Sequence, residues 1–317
     1  MEENQTVSKR SVSKKAISQI VITAMMLAIA LCLKGLSELI SFFNWPFGGS
    51  ISLVMVPLVL CSLLCGPLYG TIAGMTFGLF DFLIDGVISW TPNTLAVVLS
   101  LVLDYLIGFG ACGLAGLFKK PFFEKKTWAP LVSMLTCGVV RFISSFISGV
   151  VVFTSAFDYS STSGLSVDFS AAGITYSLTY NLGYMLPTII LSLLVFVLLM
   201  RAIYIVLDYP YVKVLAPCNL EVSEEKEVTL KELIPLCSII LIVLSIVGAI
   251  PSFKIFYVGI ISLVIIALVL TYSIYLFVNK KIELKQFMIY LSLIVVCISV
   301  SILSIVSRYS YGVSLYQ

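Results

Sequence analysis

Tyr176-Ser-Leu-Thr-Tyr-Asn-Leu-Gly-Tyr-Met-Leu-Pro187 opens a stretch that runs on, nearly all apolar, to Met200. About 20 apolar residues suffice to cross the hydrocarbon of a bilayer, so this segment is predicted to span a membrane as a helix. Lipid offers no water to the polar groups of Tyr176, Tyr180, Asn181 and Tyr184. Such groups inside a span are expected to face a cavity, a ligand or another helix. The three tyrosines recur at helical spacing, with Asn181 beside them, which gathers them on one side.

The rest of the chain is of the same kind. Its 317 residues are 60% hydrophobic and only 11% charged, with a mean hydropathy of +1.11; a soluble domain carries far more charge. Apolar stretches read at 17–40, 51–66, 67–88, 94–117, 128–153, 173–200, 233–250, 255–278 and 286–307. The expected fold is therefore an all-α integral membrane protein. A cytoplasmic segment 1–16 leads into a six-helix module at 17–200. A polar linker at 201–232 follows, then about three additional transmembrane helices within 233–317. The stretch at 51–66 is short, holds Pro57, and is parted from the next only by Gly66-Pro67. In the linker, the charge run Glu221-Val-Ser-Glu-Glu-Lys-Glu227 reads as solvated, and Pro210 and Pro217 break any long helix.

Orientation follows from lysine and arginine. With the N-terminus cytoplasmic, nine spans leave Lys9, Arg10, Lys14, Lys15, the pairs at 119–120 and 125–126, Arg201 and the later loop lysines inside, and only Lys254 and Arg308 outside. The net charge of +3 then reflects membrane anchoring rather than nucleic-acid binding. The first span is too long for a cleavable signal, and Leu31 before Cys32 argues against a lipoprotein site. Eight cysteines lie mostly in apolar helices, where they read as small packing residues and not as a disulfide framework. The absence of histidine removes Ser-His and Cys-His hydrolases, zincin-type sites and histidine proton relays. No Walker motif is present, so the chain carries no ATPase of its own. An enzyme is not expected, and neither a cofactor nor a metal is implied.

Glycines 66, 70, 74 and 78 form a stripe along the third span, and glycines 108, 110, 113 and 116 thin the fourth; both patterns predict close helix packing. Span one carries the small pair Ala24 and Ala28. Lys34 and Arg141 lie within spans, and Asp104 sits near the middle of the fourth. Ionised groups at that depth need partners. Two readings of Asp104 stand side by side: a structural ion pair with Arg141, or a carboxylate facing a cavity that receives a cationic ligand. Asp81 and Asp85, an i,i+4 pair near the outer end of span three, read as a solvated pair. Arg141, Ser145, Ser148 and Gly149 line one stripe of span five. The aromatics Trp45, Trp90 and Phe153, at outer helix ends and loops, are placed to wall a pocket for a small, flat, partly polar ligand.

These residues also resemble a known family. Gly48-Gly-Ser-Ile-Ser-Leu-Val-Met-Val-Pro57, Leu103-Asp-Tyr105, Arg141-Phe142 with Ser148-Gly149, and Tyr176 to Asn181 followed by Tyr184-Met-Leu-Pro187 are similar to the thiamine-specific S component of energy-coupling factor (ECF) vitamin transporters. The resemblance covers about residues 15–200. It implies a six-helix, S-component-like bundle in the cell membrane, binding thiamine or a thiamine-like pyrimidine near the outer face. Its partners would be a transmembrane coupling subunit and two ATPase subunits, with Ala24 and Ala28 matching the motif that meets the coupling subunit. The implied substrate residues are Asp104, Tyr105, Ser145, Phe153, Tyr176 and Asn181, with Trp45 in a capping loop at 43–50. Asp104 would offset the thiazolium charge or hold the aminopyrimidine. Tyr176 and Asn181 would fix the pyrimidine edge, and Tyr105 and Phe153 would stack. Three positions depart from the pattern: Ser145 stands where the family has a histidine, Phe153 where it commonly has tryptophan, and Thr188 where an acidic residue often follows the proline. The alternatives are a stand-alone ion-coupled secondary transporter of a small cationic or heteroaromatic solute, and a membrane scaffold glued by Asp104 and Arg141.

Overall fold

The structure, a computed structural model, describes residues 2–39, 49–86, 93–153 and 169–217. Its regular elements are helices: α1 Glu2–Leu39, α2 Met55–Cys65, α3 Pro67–Asp85, α4 Thr94–Phe123, α5 Trp128–Ser148 with a π-helical turn Gly149–Phe153, α6 Ala171–Leu207 and the short α7 Pro210–Lys213. Among the described residues, five helices are long and apolar enough to cross a membrane: Lys14–Glu38 of α1, then α3, α4, α5 and most of α6. The chain is an all-α, multi-pass membrane protein, as its hydropathy predicts.

The expected span at 51–66 takes a different form. Its helix is the 11-residue α2, and at about 1.5 Å per residue it covers roughly half of a hydrocarbon layer about 30 Å thick. All of its residues except Leu60 are buried. Pro57 falls in its first turn, where a missing N–H breaks no helical bond. Gly66, at φ 104°, ends α2 in a conformation that side chains resist, and Pro67 starts α3 immediately. The stretches at 233–250, 255–278 and 286–307 lie outside the described residues, as do Trp45 and Trp90.

The chain divides into two compact units, residues 1–192 with 202–226, and residues 193–201 with 227–317. In the first, α2 packs against α1, α3, α4 and α5. Most of the striped glycines do the packing expected of them, whereas a Cβ at Gly66 would meet nothing within 4 Å and one at Gly108 only ordinary contacts. A Cβ at Gly74 or Gly78 of α3 would overlap the carbonyl oxygens of Phe109 and Tyr105 in α4, and one at Gly113 would overlap Thr71. Phe77 and Phe109 meet edge to face at 4.8 Å across this seam. Helix starts are capped by side chains: Asn93 accepts from the N–H groups of Leu95 and Ala96 at 3.1 and 3.2 Å, and Ser170 from that of Gly173 at 3.1 Å. Cys61, Cys65, Cys112 and Cys137 are buried free thiols. Gln19 of α1 donates to the Cys65 carbonyl at 2.9 Å.

Asp81 and Asp85 are not a solvated pair. Their i,i+4 spacing turns both towards α1, where Lys34, 2% exposed, reaches Asp81 at 2.9 Å and Asp85 at 2.8 Å. Lys34 also meets Glu38, one turn on, at 2.9 Å. One ammonium thus answers two carboxylates whose side chains are 8% and 6% exposed, which is the partnering that ionised groups inside a membrane helix require.

Candidate functional site

Asp104 lies in a π-helical turn, Leu101–Ile107, within α4. Its Oδ2 accepts the hydroxyl of Ser100, one turn earlier, at 3.1 Å, and that of Ser148 from α5. Ser145 and Ser148 are each 3% exposed, whereas Asp104 is only half-buried. Among the described residues it forms no ion pair with lysine or arginine. The ion pair with Arg141 that the sequence allowed is therefore not made. The Arg141 guanidinium lies 3.9 Å over the ring of Phe109, a cation–π contact, and its Nε has no hydrogen-bond partner.

Asn181 of α6 is buried, and its amide nitrogen donates to the carbonyls of Ser177 at 2.9 Å and Ser145 at 3.3 Å. Its Oδ1 accepts the Tyr184 hydroxyl at 3.1 Å. Ser177 ties the helices together a second time by donating to the Phe146 carbonyl at 2.8 Å. This approach of α5 to α6 needs Gly149, since a Cβ there would overlap the Ser177 hydroxyl. Thr188, following the helix-interior Pro187, turns its hydroxyl onto the Tyr184 carbonyl at 2.7 Å.

The three tyrosines of α6 form a ladder. Tyr176, 49% exposed, stacks on Tyr180 with ring centres 6.1 Å apart, and Tyr180 meets the buried Tyr184 edge-on at 5.7 Å. The chain entering α2 closes over them: the N–H of Gly49 donates to the Tyr180 hydroxyl at 3.3 Å. Beneath it, Ser50, Met55, Gly138, Arg141, Tyr184, Met185, Thr188 and Ile189 enclose a narrow crevice. The result is a half-buried carboxylate, a buried amide and a run of aromatic faces, converging from α4, α5 and α6.

Of the residues expected at the site, Asp104, Ser145 and Asn181 come together in this cluster, and Tyr176 stands at the exposed end of the ladder. Tyr105 does not join them as a stacking ring. Its ring packs edge-on against Phe82 of α3 at 5.4 Å, and its hydroxyl donates to Asp85 at 2.7 Å. Adjacent residues on a helix point to different neighbours, so Asp104 facing α5 sends Tyr105 to α3. Phe153 ends the π-helical turn after α5, and the capping loop with Trp45 is outside the described residues. Sequence reasoning passed over Ser100 and Ser177, and it named Lys34 only as lying within a span. A serine one helical turn before Asp104 and another before Asn181 is the signal that finds the first two. Ala24 and Ala28 lie on an exposed face of α1.

A bundle of membrane helices with a convergent polar cluster, whose carboxylate is ion-paired to no lysine or arginine among the described residues, has the arrangement of a small-solute site. Comparison with known sequences makes this specific. The thiamine transporter protein family (Thia_YuaJ) matches residues 20–208, and the chain belongs to that family. It is 30% identical over 196 residues to the thiamine transporter ThiT of Bacillus subtilis (strain 168), covering 58% of this chain and 91% of the relative. No solved structure matches the chain significantly. The protein is a transmembrane transporter of the thiamine transport family and not an enzyme.

Proposed function

We propose that this chain is the substrate-binding subunit for thiamine uptake across the cell membrane, with its site among α4, α5 and α6. One observation carries the reading: Asp104 is a half-buried carboxylate held by the hydroxyls of Ser100 and Ser148, with no lysine or arginine ion-paired to it among the described residues. A negative charge so placed is completed by a cationic guest. Thiamine supplies a thiazolium cation and a flat aminopyrimidine. The buried Asn181 amide and Tyr184 hydroxyl suit the hydrogen-bonding edge of the pyrimidine, and the tyrosine ladder suits a cationic aromatic solute moving inward. Phe153 and Trp45 are the proposed stacking rings, and Ser145 contributes a neutral hydroxyl. Tyr105 has no direct role in this reading.

The bias of lysine and arginine supports a cytoplasmic N-terminus. With no nucleotide-binding motif in the chain, transport energy would come from an ECF coupling subunit and two ATPase subunits, docking on the exposed α1 face around Ala24 and Ala28. The family match to residues 20–208 supports a binding module that is separate from the C-terminal region. Calorimetric titration of the detergent-purified protein with thiamine tests the site. Saturable one-site binding that Asp104→Asn weakens by roughly tenfold or more, the value of a hydrogen bond to a charged group, is the expected result. Unchanged affinity in that variant would remove Asp104 from the site.

A further inference from the structure

The turn that carries Asp104 is itself unusual. Leu101–Ile107 winds as a π-helix inside an otherwise tighter helix, a conformation rare in proteins and concentrated at functional sites. Such a turn needs outside support, because an α-helical path would satisfy its backbone equally well. Here it is held from two sides. From α5, Ser144, 6% exposed, donates its hydroxyl to the Leu103 carbonyl at 2.6 Å. From α3, Asp85 accepts the Tyr105 hydroxyl at 2.7 Å, and Gly78 lets the Tyr105 carbonyl lie where a Cβ would collide. Asp85 is fixed in turn by Lys34 of α1 at 2.8 Å. The residues on both flanks of Asp104 are thus anchored to different helices, while Asp104 itself points to the serines.

We infer that Tyr105 and Ser144 are positioning residues for Asp104: they hold the π-helical turn in the winding that aims its carboxylate at a bound cation. Neither residue needs to touch the ligand. Relaxation of the turn towards α-helical winding would rotate Asp104 relative to α5 and away from the hydroxyl of Ser148. A guest whose charge meets that carboxylate would feel the loss, and an uncharged guest of the same shape would not. The inference rests on the reading of Asp104 as the cation-binding group.

Its test compares two ligands on the purified full-length protein: thiamine, and a neutral isostere in which the thiazolium is replaced by an uncharged thiophene. Asp104→Asn tests the underlying reading, since it should abolish the preference for the cation. Tyr105→Phe and Ser144→Ala each remove one hydrogen bond and change no charge. Each is expected to raise the Kd of thiamine on the order of tenfold, as loss of a supporting outer hydrogen bond does at metal sites, while the isostere's Kd stays nearly constant. In the Asp104→Asn background neither should weaken thiamine further. A parallel loss for both ligands would make these residues merely structural and overturn the inference. An unchanged preference in both variants, with Asp104→Asn still abolishing it, would overturn the inference alone and leave the site standing. A preference that survives Asp104→Asn would overturn both. If Tyr105→Phe yields no folded protein, Ser144→Ala, which leaves the Lys34–Asp85 pair untouched, is decided by the same criteria.

Discussion

Lys34 of α1 and Asp85 of α3 meet at 2.8 Å with side chains only 2% and 6% exposed, and Asp81 joins the same ammonium at 2.9 Å. Removing one partner of a buried pair leaves charge uncompensated, at a cost of about 3–5 kcal/mol. Lys34→Met is therefore expected to lower the thermal midpoint of the purified protein sharply or to abolish its folded yield. Neutralising the partners as well, in Lys34→Met with Asp81→Asn and Asp85→Asn, should restore much of the loss. A single variant as stable as the parent would show that the cluster is solvated after all.

Gly149 lets α5 approach α6 so closely that an added Cβ would overlap the Ser177 hydroxyl and stand 3.4 Å from the Asn181 amide. Overpacking of this kind costs about 1–3 kcal/mol. Gly149→Ala should lower thermal stability by that amount and weaken thiamine together, because Ser177 and Asn181 both move. Combining it with Ser177→Gly, which clears the space, should recover stability; failure to recover would mean that the clash is relieved elsewhere.

Asn181 has its amide nitrogen committed to the carbonyls of Ser177 and Ser145 and its oxygen to Tyr184. Asn181→Leu keeps the volume but strands the Tyr184 hydroxyl, at about 1–3 kcal/mol. If the amide also meets the pyrimidine, thiamine affinity falls by more than the stability change explains. The two are separated by measuring the Kd alongside a thermal melt, and Tyr184→Phe supplies the control that removes the stranded hydroxyl.

Tyr176 is 49% exposed and stands at the exposed end of the tyrosine ladder. An exposed cation–π contact contributes about 0.5–1 kcal/mol, so Tyr176→Ala should change equilibrium affinity only a few-fold. Its expected signature is a slower association rate in stopped-flow quenching of intrinsic fluorescence, with dissociation little altered. A large rise in the dissociation rate would instead place Tyr176 against the bound ligand.

The sequence by itself determined the membrane, the helical class and the positions of five of the spans. Lipid cannot hydrogen-bond a backbone, so long apolar runs have little choice but helix, and the glycine stripes of α3 and α4 announced their own close packing. Asp104 and Asn181 stood out for the same reason, as polar groups where water is scarce. Partnership was decided only in three dimensions. Nothing in the local sequence says that Lys34 crosses to Asp81 and Asp85, 47 and 51 positions along the chain. Nor does it say that Arg141 turns to Phe109 rather than to Asp104. The direction of Tyr105 was equally hidden, since a π-helical turn shifts side chains away from the spacing that helical periodicity assumes. Hydropathy reports what each residue needs, whereas which neighbour supplies it depends on how separate helices are rotated against one another, and only the packed bundle fixes that rotation.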